Sequence, residues 1–145
     1  MKKFLLSFAL PTLFLPVVAH AAASSDAKLA SDVFHLDQLP AQPTPVGMRR
    51  DPFDAPTATV DKTHCHITTL NVGASSGEPR KHLQEEIIIV KEGAVEAHWD
   101  GQSKVAKAGD IIYFAANAVT HLRNAGTTPA TYYVIYYTTP LTAKE

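Results

Sequence analysis

The sequence predicts an all-β domain, a sandwich or a small barrel, preceded by a removable leader and a proline-rich arm. Three observations carry this reading. After Asp61, short runs of β-branched and aromatic residues recur about every 8 to 12 residues between turn signals. No segment there repeats apolar residues at helical spacing through three turns. Before Asp61 the chain carries Pro40, Pro43, Pro45, Pro52 and Pro56, which discourage helix and central strand alike.

The first residues have the pattern of a secretory signal peptide. Lys2 and Lys3 precede an apolar run from Phe4 to Ala19, which Pro11 and Pro16 interrupt, and Ala19-His20-Ala21 is a small-x-small cleavage pattern. The run falls short of the roughly 20 residues that span a bilayer. The expectation is cleavage after Ala21, a bacterial periplasmic or secreted protein, and no membrane association once cleaved. Three segments follow: signal peptide 1–21, N-terminal arm 22–60 and barrel domain 61–140.

The arm is expected to hold at most short strands at Val33–Leu36 and Thr57–Val60, with Arg49-Arg50 solvated. Lys62–Leu70 is rich in β-formers, and Gly73 to Pro79 is a turn region. Glu85–Lys91 is strongly β-branched and ends at Glu92-Gly93. Ala94–Trp99 alternates, and Asp100-Gly101 signals a tight hairpin into Ser103–Lys107. Ile111–Ala115, Thr120–Arg123 and Thr131–Thr138 complete the set, separated by turns at Ala108–Asp110, Ala116–Ala118 and Asn124–Gly126. Trp99, Tyr113 and Phe114 are read as core.

Charge and cysteine content narrow the function. The 145 residues hold 13 basic and 14 acidic side chains; without Lys2 and Lys3 the balance is 11 against 14, a net of −3. A nucleic-acid binder shows a basic excess or stripe, and neither is present. Cys65 is the only cysteine, so no intramolecular disulfide can form, and it is read as buried and inert.

The chemistry concentrates around His82. If Arg80–Val90 is extended, even offsets face one side, so His82 and Glu86 share a face with Ile88 and Val90. A carboxylate aimed into an apolar interior is costly unless paired or metal-bound. Imidazole plus carboxylate on one face is half of a site for a divalent transition ion.

With a second stretch from Gly109 to Asn124, these residues resemble the cupin superfamily, and the small exported bacterial single-domain cupins among them. The family's first motif runs G-x5-H-x-H-x3,4-E-x6-G; His82, Glu86 and Gly93 match its second His, its Glu and its closing Gly. The second runs G-x5-P-x-G-x2-H-x3-N; Gly109, His121 and Asn124 resemble it. Arg80 stands at the first motif His. Ala115 and Asn117 replace the Pro and Gly of the second motif. His121 falls twelve residues after Gly109, where the motif has eleven, whereas Asn124 keeps its fifteen. A one-residue shift reverses a strand's facing, so the turn must absorb it for His121 to point inward.

The resemblance implies a single small jelly-roll β-barrel and one divalent transition metal, with iron, manganese, nickel and zinc not distinguished, or a degenerate site with none. His82, Glu86 and His121 would be its ligands. His64 and His66 share a face of their strand, and His66 is the better replacement for the lost His or a pocket residue. Arg80 suits an anionic group, since its fork matches carboxylates. The expected function is binding, or acting on, a small polar and anionic molecule inside the barrel. An enzyme, a binding module and a structural barrel stay open. The last strand, Tyr132–Tyr137, leaves neither face polar, which together with the resemblance leads us to expect a homodimer.

Overall fold

The computed structural model describes residues 27–142. The signal-peptide reading of residues 1–21 lies outside them. Within them the chain is all-β, and no helix is long and apolar enough to cross a membrane. Ten strands form: β1 (Gln42–Thr44), β2 (Gly47–Ala55), β3 (Lys62–Leu70), β4 (Arg80–Lys81), β5 (Glu86–Glu92), β6 (Ala94–Trp99), β7 (Gln102–Lys107), β8 (Ile111–Phe114), β9 (Val119–Asn124) and β10 (Ala130–Thr138).

They build two antiparallel sheets, ordered β1-β2-β3-β10-β5-β8 and β4-β9-β6-β7. Consecutive strands cross repeatedly between the sheets, the winding of a jelly roll. The inner faces enclose Leu70, Ile88, Val90, Val95, Ala97, Phe114, Leu122, Tyr132 and Val134, with Trp99 and Tyr136 packed at the margin. Burying each large aliphatic side chain contributes roughly 1.5–3 kcal/mol. On β5 the alternation is strict: Glu86, Ile88 and Val90 are buried, Ile87 and Ile89 exposed.

The segment before Asp61 departs from its expected pattern. Val33–Leu36 and Thr57–Val60 form no strands, while β1 and β2 pair into the larger sheet. Pro52 sits inside β2, where the register against β3 shifts between Arg50 and Phe53. A bulge tolerates a residue that cannot donate to the ladder, so the proline bends the strand instead of ending it. Gly47 makes the close approach possible: a Cβ there would meet the Thr69 carbonyl oxygen, with φ at +152°. Tyr113 is exposed rather than core.

The turns obey their residues. Asp100 and Gly101 both have positive φ, 46° and 80°, as a two-residue hairpin with the native twist requires. Asn117, at φ 64°, adopts the left-handed conformation where the family motif has glycine.

The most constrained polar side chain is Asn124, at 2% exposure. Its Nδ2 donates toward the carbonyls of Leu70, Asn71 and Thr128 at 3.1, 3.1 and 2.9 Å. Its Oδ1 accepts the Gly126 N–H at 2.9 Å. One amide thereby joins the end of β3, the end of β9 and the turn into β10. Asn124→Ala strands these buried partners, and each unmet buried group costs about 1–3 kcal/mol. We expect urea denaturation to show a loss of about 2–4 kcal/mol. Asn124→Asp should lose at least as much, because a carboxylate cannot donate to three carbonyls.

Candidate ligand-binding site

A cavity of about 380 Å³ opens between the sheets. Its polar lining includes Arg49, His66, Glu78, Arg80, His82 and Glu86, against an apolar floor of Ile88, Phe114, Leu122, Tyr132 and Val134. Arg80, His66, His82, Glu86 and His121, all five candidate site residues from the sequence, therefore border one cavity.

Their approach differs from the expected extended run. Residues 82–85 form a bend between β4 and β5, so His82 arrives through a loop and only Glu86 through strand alternation. Asn117 N–H donates to the His82 carbonyl at 2.7 Å and ties that loop to the β8–β9 turn. Arg80 Nε donates to His82 Nε2 at 3.1 Å. His82 Nδ1 lies 3.9 Å from Glu86 Oε1. Burial pushes the Glu86 carboxyl above its ordinary range, opposed by its neighbours His82 and Arg80.

His121 borders the same cavity, but from a strand position that faces away from its interior. Along β9, Thr120, Leu122 and Asn124 are buried and point inward, so His121 and Arg123 point outward. The His121 ring stacks flat on His98 of β6, with centroids 4.3 Å apart and an interplanar angle of 7°. Burial, then neighbouring His98, depresses its basicity, with Glu78 and Glu96 pulling the other way. The extra residue before His121 is not absorbed by the turn. Thr120, eleven residues after Gly109, takes the inward position of the motif His.

These donors do not fit the implied metal. Among the described residues no three His, Cys, Asp or Glu side chains converge as a ligand set. Of the motif residues His82 and Glu86 point inward, with His66 across the cavity from β3, and the Nε2 lone pair of His82 is already occupied by Arg80. A guanidinium stays protonated, so Arg80 adds a cation where the family motif supplies a ligand.

Beside this cluster, β3 carries a histidine pair. His64 is buried, and its Nε2 lies 3.0 Å from His66 Nδ1. Arg49 Nη2 approaches the same His64 Nε2 at 3.3 Å, while Asp51 Oδ1 accepts from the Arg49 guanidinium at 2.7 and 2.8 Å. Arg49 therefore borders the cavity in a fixed orientation and is not freely solvated. His64 Nδ1 lies 3.2 Å from Asp54 Oδ1, whose other oxygen meets Lys62 Nζ at 3.0 Å. Burial lowers His66 to about 3, reinforced by Arg49 and His64. Arg49, His64 and Asp54 were missed because the β2–β3 register brings them together; the one signal was the shared face of His64 and His66. Cys65 points to the opposite face, is buried, and burial pushes its thiol up to about 11.

The geometry agrees with comparisons to known proteins. A family model described as "Cupin domain" matches residues 66–136. No curated protein matches the chain. Among solved structures, KdgF from a Halomonas species is 19% identical with a TM-score of 0.62, covering 73% of this chain and 94% of its own. A Cupin 2 conserved barrel domain protein from Salinispora arenicola is 22% identical with a TM-score of 0.61, covering 79% of this chain and 95% of its own. A structure described as a sugar phosphate isomerase from a cupin superfamily, from Silicibacter pomeroyi, is 23% identical with a TM-score of 0.58, covering 75% and 77%. At these identities the likeness is one of fold.

Proposed function

The chain belongs to the cupin superfamily, and from that premise we propose that its barrel binds a small carboxylate through arginine and histidine, without a resident metal. The observation that carries this is Arg80. It lines the cavity, donates to His82, and sits beside Gly77, where a Cβ would lie only 3.4 Å from Arg80 Nη1. With Arg49 on the opposite sheet it supplies two planar cations to a cavity whose acids are Glu78, which is exposed, and Glu86, which is pushed toward its neutral form by burial. Guanidinium forks recognise carboxylates in two-point geometry. We further propose export to the periplasm or the medium, on the strength of Met1–Ala21.

We also propose that a second copy of the chain covers the outer face of the larger sheet. The register sets Ile87 between Tyr113 and Ile135, and Ile89 between Ile111 and Tyr133. Ile111 and Tyr113 are 70% and 62% exposed. A contiguous apolar sheet face of this kind is unusual on a monomer.

Two measurements test these readings. Calorimetric titration with succinate, in buffer containing a chelator, should give saturable binding to the wild type. Arg80→Ala should weaken it, since a hydrogen bond to a charged group contributes about 1.5–3 kcal/mol, roughly ten- to a hundredfold in Kd. Equal affinity in the two proteins would remove Arg80 from the site. For assembly, light scattering should give a dimer mass that falls to a monomer mass in Ile111→Asp/Tyr113→Asp. A wild-type monomer at high concentration would overturn the dimer.

A further inference from the structure

The histidine pair on β3 narrows the ligand class further. A guanidinium nitrogen is a donor only, and Arg49 Nη2 lies 3.3 Å from His64 Nε2. His64 Nε2 must therefore accept, which leaves its ring proton on Nδ1. That atom lies 3.2 Å from Asp54 Oδ1, close enough for charge attraction but without a formed hydrogen bond. Against the desolvation that would raise it, Lys62 and His64 hold the Asp54 carboxyl below its ordinary range, so it stays an acceptor. A bare His66 Nδ1 would set two lone pairs face to face 3.0 Å from His64 Nε2, so His66 Nδ1 carries its proton and shares the His64 lone pair with Arg49.

This leaves the other nitrogen of His66, Nε2, as a bare lone pair on a ring that borders the cavity. The same wall of the cavity holds Arg49, and the facing sheet brings Arg80. The pocket therefore combines cationic donors with a neutral imidazole acceptor whose proton position is set from behind, beside the carboxylates of Glu78 and Glu86 and the hydroxyls of Thr44, Thr68 and Thr120. A plain carboxylate on the arginines leaves this imidazole acceptor unmet. A ligand that also carries a hydroxyl can donate to Nε2.

We propose that the cavity selects hydroxy acids, with the carboxylate on the arginines and a hydroxyl donating to His66 Nε2. Asp54 and His64 are positioning residues that hold the His66 tautomer. This deepens the carboxylate reading and rests on it. Burial, which keeps His66 from protonating near neutral pH, agrees with an acceptor role.

The test uses matched acids differing by one hydroxyl: malate against succinate, lactate against propionate, and 3-hydroxybutyrate against butyrate. Calorimetry on the wild type should show at least one hydroxy acid bound about tenfold tighter than its partner, the size of one well-made hydrogen bond. His66→Phe should erase that preference while the plain acid binds as before. Asp54→Asn should reduce it. Nitrogen-15 spectra of the wild-type imidazoles supply an independent readout that needs no variant: His66 should carry its proton on Nδ1, with Nε2 bare. Binding without a hydroxyl preference, or a His66 proton on Nε2, would overturn this proposal alone. No binding by any of the acids would overturn the carboxylate reading and this proposal with it.

Discussion

The phase of β9 decides what this barrel can do, and one buried amide holds that phase. Asn124 points inward because its donors are claimed by three main-chain carbonyls and its oxygen by a fourth main-chain group. Side chains on a strand alternate strictly, so Leu122 and Thr120 follow Asn124 inward and His121 faces out. The strand is held on both sides: β6 pairs along one edge, and the loop before β4 runs along the other, where Ser76 exchanges hydrogen bonds with Leu122. Turning His121 inward would bury Arg123 and expel Asn124 from its clamp. A single imidazole–metal bond is weak compensation for that rearrangement.

The charge balance follows from the same geometry. With Thr120 inward and Arg80 in place of the first motif histidine, the cavity loses two ligands and gains a permanent cation. A divalent ion bound there would be opposed by the charge of that guanidinium. Glu86 alone is a modest counterweight, since its charge is itself disfavoured by burial. An anion reverses the sign of every one of these interactions. Arg49, Arg80 and the hydrogen-bonded imidazoles then form a prearranged cradle, which lowers the cost of ordering side chains on binding.

Much of the fold was legible in the sequence, because it rests on local rules. β3 and β6 end where their β-formers end, and the Asp100-Gly101 hairpin and the left-handed Asn117 follow from residue type. Glu86 facing inward with Ile88 and Val90 follows from alternation alone. The facing of His121 was also available: counting back four residues from Asn124, which keeps its motif spacing, lands on Thr120. What local pattern could not supply was the pairing of β2 with β3. Prolines argued against a strand, yet the bulge at Pro52 absorbs one, and the resulting register carries Asp54 beside His64 and Arg49 within reach of it. Nothing in the spacing of Arg49 from His64 encodes that contact.

The central claim is that the barrel's inward donors do not form a metal site. Metal titration tests it most directly. The protein, stripped with a chelator and dialysed, is titrated with Zn²⁺ and with Mn²⁺ by calorimetry, alongside Arg80→His/Thr120→His. The account predicts no stoichiometric site in the wild type and the gain of one site per chain in the double variant, which restores histidine at both inward motif positions. A stoichiometric wild-type site that Glu86→Gln abolishes would contradict it.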